Sequence, residues 1–184
     1  GGFLAKTVMK SVLYDGFFHA DMHAGNMLFI DDDTPCIGIF DFGIMGSLND
    51  NAMEGFYEFF KASCINNDSR RAAKALTTWL VAEPNKYNDL DIDIKENITN
   101  ELESLVSEIF STNSHLDISI VKRCNNVLSR YGLLLSKEFC KIQLAMAVSV
   151  GVATELCGGT ATYIEEVTSS VKSMIGSDIA MGLF

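Results

Sequence analysis

Three oxygen-bearing side chains near the start of the chain have the types and spacing that phosphoryl transfer requires. Asp21 follows His19 by two residues, and Asn26 follows Asp21 by five. Asp41 then opens an Asp-Phe-Gly sequence. Phosphoryl transfer needs an aspartate beside the attacking hydroxyl, and an amide oxygen and a second carboxylate on the Mg²⁺ that bridges the phosphates. The pattern predicts Asp21 as the catalytic aspartate, and Asn26 and Asp41 as the residues that hold Mg²⁺ and, through it, ATP.

Two short apolar runs indicate how these residues are brought together. Residues 26–30 and 36–40 contain β-forming side chains, and residues 31–35 between them have the composition of a turn. The pattern predicts a β-hairpin. Because Asn26 opens its first strand and Asp41 follows its second, we expect the hairpin to bring two oxygen ligands to one place. A hard cation such as Mg²⁺ prefers such oxygen ligands.

The residues around this pair have supporting roles in the same interpretation. Asp21, in the loop ahead of the hairpin, is expected to face the same cleft from the substrate side. Gly43 and Gly46 are expected to let the backbone turn sharply after the second metal ligand. His19 is expected to hold the loop through a backbone hydrogen bond. His23 is either a substrate contact or a solvated loop side chain.

The longer sequence around these residues resembles a known family. H-x-D-x-x-x-x-N followed by D-F-G is typical of the catalytic half of protein-kinase-like phosphotransferases. GFFHADMHAGNMLF followed by IFDFGIMG is similar to the UbiB/AarF-type atypical kinases, a family associated with ubiquinone and other isoprenoid-quinone lipids. The resemblance is sharp over residues 1–48 and continues weakly to about residue 158. Met22 and Ala24 stand where the family has prolines, so we expect a less rigid loop that keeps every catalytic and metal-binding group.

The resemblance implies a fold, cofactors and partners. It implies a protein-kinase-like carboxy-terminal lobe in which Asp21 matches the catalytic-loop aspartate, Asn26 the metal-binding asparagine and Asp41 the metal-binding aspartate. It implies Mg²⁺ and ATP as cofactors, a small-molecule or lipid substrate, and a role in isoprenoid-quinone (ubiquinone-type) biosynthesis. It also implies peripheral association with a mitochondrial, plastid or bacterial membrane.

The amino-terminal lobe of a kinase has no counterpart in the sequence. Such a lobe carries a phosphate-covering loop and a lysine on a strand. No glycine-rich or alanine-rich loop precedes Asp21, and the upstream lysines, Lys6 and Lys10, lie in a segment, residues 3–14, with a helical pattern. We therefore expect this chain to be the carboxy-terminal lobe of a longer protein, or a split or truncated relative. By itself, it is expected to be inactive.

Composition is consistent with an intracellular globular protein. The 184 residues are 48% hydrophobic, enough to bury a sizeable core. The net charge of −10 argues against a nucleic-acid partner, because phosphate binding requires basic patches. Five cysteines are scattered without a C-x-x-C pair, a pattern typical of reduced thiols in an intracellular compartment.

Hydrophobic periodicity predicts a mainly α fold with one small β-hairpin as its only regular β-structure. Residues 1–48 are expected to carry the catalytic loop, hairpin and Asp-Phe-Gly segment, and residues 49–184 to form the helical remainder of the lobe. Residues 85–93 are expected to be a loop, and the uncharged run 142–154 a buried core helix that is too short to span a membrane. The predicted helices of the second part cover residues 51–63, 68–82, 96–110, 118–131, 136–157 and 161–176.

Several alternative functions share these residues. The chain could be a pseudokinase or nucleotide-binding interaction module that transfers no phosphate. An aminoglycoside-phosphotransferase-like kinase uses a similar motif, although the FFHAD and literal DFG sequences favour the quinone-linked family. His19, Asp21 and His23 could instead bind a transition metal in a hydrolase. Among kinase substrates, proteins are disfavoured, because only residues 44–50 separate the Asp-Phe-Gly sequence from the next helix and no Ala-Pro-Glu sequence follows.

Overall fold

A computed structural model describes residues 2–34, 36–111, 119–157 and 160–181. This part of the chain is mainly helical, as predicted, and it contains small antiparallel sheets. The strands are β1 (Phe17–His19), β2 (Met27–Ile30), β3 (Cys36–Ile39) and β4 (Met45–Ser47). The helices are α1 (Gly2–Lys10), α2 (Asp50–Phe60), α3 (Ser69–Trp79), α4 (Pro84–Asn88), α5 (Ile92–Ser111), α6 (Ser119–Arg130), α7 (Lys137–Cys157) and α8 (Thr160–Ala180).

The four strands form two antiparallel pairs rather than one. β2 pairs with β3, with Met27 opposite Ile39, so the predicted hairpin is confirmed. β1 also pairs with β4, with Phe17 opposite Ser47. The prediction that the hairpin would be the only regular β-structure is therefore wrong. The sequence gives no signal for the second pair, because each of its strands has only three residues and the two strands lie far apart in the sequence.

Gly46 belongs to this second pair and is not a turn residue. It lies opposite Phe18 in the β1–β4 ladder. A Cβ atom at Gly46 would lie 2.2 Å from Cζ of Phe18, whose ring is buried. The expectation that Gly46 bends the backbone is wrong, because the position instead requires glycine to admit the aromatic ring of its cross-strand neighbour.

The helices begin where capping side chains predict. The Asn49 side chain accepts a hydrogen bond from the backbone N–H of Ala52 at 2.8 Å and caps α2. Asp68 caps α3 by accepting from Arg71 N–H at 2.9 Å. Both α1 and α2 continue into a π-helical turn, the first over Ser11–Asp15 and the second over Lys61–Ile65.

The segment after α3 differs from the prediction. α3 ends at Trp79 instead of residue 82, because Ala82 N–H donates to the Leu134 carbonyl at 2.8 Å and the chain pairs there with the segment before α7. The expected loop over residues 85–93 contains α4, which begins at Pro84, a residue well suited to the first helical position. α5 then begins at Ile92, four residues before the prediction.

A buried apolar core joins the helices and supports the strands. α1 packs on α8 and α7, α2 packs on α3, and α3 packs on α5. The largest fully buried side chains are Phe18, Leu4, Met9, Leu76, Leu80, Ile98, Leu102, Leu128, Leu133, Ile142 and Ile175. Ile142 and Ala145 place one face of the uncharged run of α7 in this core, whereas Leu144 is exposed, so the expected buried core helix is buried only in part. Among the described residues, no helix has both the length and the apolar character needed to cross a membrane.

Candidate active site

Two chain segments lie side by side between the two small sheets. Residues 20–26 connect β1 to β2, and residues 40–44 connect β3 to β4. The β1–β4 pair joins these segments at one end, and the β2–β3 pair joins them at the other. Backbone hydrogen bonds extend both ladders inward, from Ala20 N–H to the Ile44 carbonyl at 2.9 Å and from Phe40 N–H to the Asn26 carbonyl at 2.8 Å. The catalytic-loop segment and the Asp-Phe-Gly segment are thus fixed at both ends.

His19 joins the two segments directly. Its ring is buried, and Nδ1 accepts a hydrogen bond from Asp21 N–H at 3.1 Å. Nε2 lies 2.9 Å from the Asp41 carbonyl oxygen. Since a carbonyl oxygen only accepts, Nε2 carries the proton and Nδ1 is the acceptor. The edge of the ring meets Phe42, with the ring centroids 5.9 Å apart. One imidazole therefore holds the backbones of Asp21 and Asp41 in fixed relation.

This hydrogen bonding argues against the transition-metal alternative. Both nitrogens of His19 are engaged with backbone groups, so neither is free to bind a metal ion together with Asp21 and His23. Within the described residues, no group of three or more His, Cys, Asp or Glu side chains could hold a metal ion. A hydrolytic zinc-type site has no support in this arrangement.

Asn26 is buried and tied back to the catalytic loop. Its Nδ2 donates to the Asp21 carbonyl oxygen at 3.1 Å, and its backbone N–H donates to the His23 carbonyl at 2.9 Å. Because Nδ2 must face the carbonyl that it contacts, the amide oxygen points away from it. The lone pairs of that oxygen are therefore directed away from the Asp21 carbonyl and suit a metal ligand.

Asp41 has the left-handed backbone conformation that glycine usually adopts. Its φ angle is +53°, in the left-handed region, which costs a non-glycine residue about 1–2 kcal/mol. Its Oδ1 accepts a hydrogen bond from Gly43 N–H at 3.0 Å, which fixes the carboxylate. Gly43 lies in the turn that follows Asp41, as expected, although its φ is not positive. A Cβ at Gly43 would lie 3.0 Å from that same Oδ1, so glycine leaves room for the carboxylate.

The oxygen donors of Asn26 and Asp41 match the chemistry of Mg²⁺. Asp41 is exposed, and only one of its carboxylate oxygens has a hydrogen bond among the described contacts. Mg²⁺ favours one or two protein oxygen ligands and keeps its other positions for water and phosphate oxygens. An amide oxygen and a carboxylate on paired segments fit that requirement, and they would be the residues that hold the ion.

Met22 explains how the loop is anchored without the proline of the family pattern. Its side chain is buried and belongs to the same core cluster as Phe18 and Ala20. Ala24 is exposed and opens the short 3₁₀ turn Ala24–Asn26. The loop loses the backbone restriction of proline at these positions, but the buried Met22 side chain ties it to the core.

Exposed apolar side chains surround the site. One face of the β2–β3 hairpin packs on the core, while Leu28 and the ring of Phe40 lie near Gly38 on the other. Within the described part of residues 17–47, the large hydrophobic residues with more than half of their surface exposed are Phe17, Leu28, Phe29, Phe40, Phe42 and Ile44. The sequence analysis assigned no role to this surface. The sequence feature that could have indicated this surface is the concentration of phenylalanine within and beside the strand segments.

The chain is similar to known proteins over part of its length. Residues 2–76, from α1 into α3, match the ABC1 atypical kinase-like domain. The chain is 38% identical over 60 residues to the chloroplastic protein Activity of BC1 complex kinase 8 of Arabidopsis thaliana, which covers 33% of this chain and 8% of the relative. It is 48% identical over 66 residues to the probable protein kinase UbiB of Haemophilus ducreyi, covering 34% and 12%.

A longer match extends into the helical region. The chain is 30% identical over 155 residues to the probable protein kinase UbiB of Erwinia tasmaniensis, covering 79% of this chain and 26% of the relative. The chain thus spans about a quarter or less of the length of these curated relatives. No solved structure matches the chain significantly. The resemblance drawn from the motifs is confirmed: through an ABC1 atypical kinase-like domain at residues 2–76, the chain is related to the UbiB kinases.

Proposed function

We propose that this chain is the carboxy-terminal catalytic lobe of a UbiB-like atypical kinase or ATPase that uses Mg²⁺ and ATP. The observation that carries the proposal is the hydrogen bonding of His19, which ties the backbone of Asp21 to that of Asp41. Asn26 adds a second tie through the Asp21 carbonyl. These contacts support the proposal, because phosphoryl transfer requires a catalytic carboxylate and metal ligands that are held in a fixed relation.

Each residue then has a defined task in the reaction. Asp21 accepts the proton of the attacking hydroxyl or water and orients it toward the phosphoryl group. Asn26 and Asp41 offer their oxygens to the cation that accompanies the nucleotide. When bound, Mg²⁺ neutralises negative charge on the phosphates. His19 contacts no reacting atom in this scheme and keeps the two segments in register.

The exposed apolar surface beside the site is an argument for a second lobe that covers it. Leu28 and Phe40 have 51% of their surface exposed, and Phe42 has 63%. Apolar area of this kind beside a site commonly marks a surface that another part of the protein, or a ligand, covers. We propose that an amino-terminal lobe of the same protein covers it and supplies the phosphate-binding loop and lysine. The isolated chain would then bind nucleotide weakly and turn over none.

The substrate proposed is a small molecule or a lipid intermediate, in support of isoprenoid-quinone (ubiquinone-type) biosynthesis. β4 and the cap of α2 follow the Asp-Phe-Gly segment at once, so no platform for a protein substrate is present in this segment. The curated relatives are bacterial and chloroplastic proteins. Peripheral association with a bacterial, plastid or mitochondrial membrane follows from the same family relationship.

A pseudokinase is the second candidate, because an intact metal site can serve binding alone. The experiment follows ATP labelled at the γ-phosphate, with the complete protein, in the presence and absence of Mg²⁺. Release of phosphate or its transfer to an extracted lipid, dependent on Mg²⁺, supports the kinase or ATPase. Tight binding of ATP with no loss of the γ-phosphate under any condition supports the pseudokinase and overturns the catalytic proposal.

A further inference from the structure

His23 has a fixed position in the catalytic loop. Its Nδ1 accepts a hydrogen bond from the Gly25 backbone N–H at 3.0 Å and so caps the 3₁₀ turn that ends at Asn26. A Cβ atom on Gly25 would lie 2.9 Å from Cε1 of the imidazole and 3.0 Å from Nδ1. The ring therefore rests against the backbone of Gly25, and any larger residue there would displace it.

This contact decides which nitrogen of His23 faces Asp21. An imidazole nitrogen that accepts a hydrogen bond carries no proton, so the neutral ring carries its proton on Nε2. Nε2 lies 3.8 Å from Oδ2 of Asp21. That separation is longer than a direct hydrogen bond, and a small side-chain rotation closes it. The N–H group of His23 is thus held beside the carboxylate.

Asp21 has no comparable neighbour. Among the described residues, His23 carries the only basic side chain within 4 Å of the Asp21 carboxylate. His19 contacts the backbone of Asp21 and not its side chain. Without His23, the partly exposed carboxylate would be free to rotate about its side-chain bonds.

We infer that His23 is a positioning residue: its Nε2–H group holds Oδ2 of Asp21 and leaves Oδ1 to face the attacking hydroxyl. The inference rests on the proposed function for the catalytic role of Asp21. It also gives Gly25 a role, because only glycine at this position lets the imidazole reach both partners.

Two substitutions separate this role from turn capping. His23→Asn keeps an acceptor for the Gly25 N–H, since asparagine is a strong capping residue, but its side chain is too short to reach Asp21. His23→Gln places an amide N–H near the position of Nε2. In the complete protein we expect His23→Asn to lower kcat by roughly 10²-fold, the typical cost of misplacing a reacting group. The KM for ATP should change little, and His23→Gln should recover much of the rate.

A spectroscopic measurement tests the geometry without relying on activity. Histidine-selective ¹⁵N labelling of the complete protein, with the signal assigned from His23→Asn, should show a neutral ring protonated at Nε2. Asp21→Asn should shift the Nε2 resonance and leave Nδ1 nearly unchanged. If wild-type protein has no turnover, the proposed function fails, and the ¹⁵N signals alone then decide whether His23 faces Asp21. A proton on Nδ1, or full activity of His23→Asn beside an inactive Asp21→Asn, would overturn the inference.

Discussion

The site segment and the helical region are held in place by different interactions. In residues 17–47, strands of three or four residues and a few hydrogen bonds through His19 and Asn26 fix the geometry, while several apolar side chains are exposed. In the helical region, side chains such as Leu76 and Leu128 are completely buried. Local hydrogen bonds therefore fix the geometry of the site, whereas we expect apolar burial in the helices to supply most of the free energy of unfolding. Substitutions in the two regions should have separable effects on activity and stability.

The largest expected effect is a loss of activity without a loss of stability. Asp21→Asn keeps the size and the backbone contacts of the residue but removes the base, which typically costs about 10²–10⁴-fold in rate. In the complete protein, turnover of ATP should fall by that factor while the midpoint of thermal unfolding stays within a few degrees. Asp31→Asn, an exposed change in the hairpin turn, is the control and should retain wild-type turnover. Equal turnover of the two variants would contradict the assignment.

The opposite behaviour is expected in the helical region. Leu128 on α6 is fully buried, and Leu128→Ala should lower the free energy of unfolding by about 2–5 kcal/mol, through lost burial and the cavity that remains. Leu144 on α7 is 53% exposed, so Leu144→Ala should change the free energy by less than about 0.5 kcal/mol. Denaturant titration measures both. Equal destabilisation by the two variants would contradict the burial of Leu128 and the exposure of Leu144.

Gly46 lies at the boundary between the two regions. Gly46→Ala forces a methyl group against the buried ring of Phe18, 2.2 Å from Cζ, and should destabilise the protein by about 1–3 kcal/mol. Because the strand that carries this ring ends at His19, the variant should also lower turnover. Gly176→Ala in α8 is the control, since nothing lies within 4 Å of its added methyl group. Alanine there should be neutral or stabilising by up to about 1 kcal/mol.

The reactivity of the cysteines should differ between exposed and buried positions, and this difference is a smaller effect than those above. Cys36 and Cys140 are exposed, whereas burial raises the pKa of Cys64 and Cys124 to about 11. At pH 8, with Cys157 replaced by serine, a thiol reagent should modify the first two in the folded protein and the other two only on unfolding. Equal rates at all four thiols would contradict the burial of α6 and of the turn after α2.

The raised pKa also has a consequence for stability. Folding favours the protonated thiols of Cys64 and Cys124, so their contribution is fully present below the ordinary pKa of 9.0 and is lost as the pH rises through about 11. The free energy of unfolding should therefore decrease between pH 9 and pH 11. Replacing both residues by alanine should reduce that slope, and an unchanged slope would count against the burial of the two thiols.

The sequence predicted the parts of the structure that depend on local patterns. Hydrophobic periodicity and the capping side chain of Asn49 located α2, and the apolar runs on either side of residues 31–35 located the β2–β3 hairpin. The β1–β4 pair was not predictable in this way, because three-residue strands separated by a whole hairpin leave no periodic signal. Gly46 was misjudged for the same reason, since its role depends on a cross-strand ring and not on its sequence neighbours.

The candidate site shows the same division. The residue types and their order predict Asp21, Asn26 and Asp41 as site residues, because the chemistry requires those groups, and this assignment stays a prediction. The left-handed backbone of Asp41 was unexpected, since glycine is the usual residue in that conformation and two glycines follow it. Which ring nitrogen of His19 or His23 carries the proton depends on tertiary hydrogen bonds, so no sequence pattern could have indicated it.

Nucleotide binding by Asp41→Asn tests the central claim most directly. In the complete protein, the affinity for ATP is measured by calorimetry with Mg²⁺ and with a chelator, for wild type, Asp41→Asn and the control Asp31→Asn. If Asp41 is a ligand of Mg²⁺ beside the phosphates, wild type and Asp31→Asn bind ATP more tightly with Mg²⁺, and Asp41→Asn loses most of that difference. The same Mg²⁺ dependence in all three proteins would contradict the account.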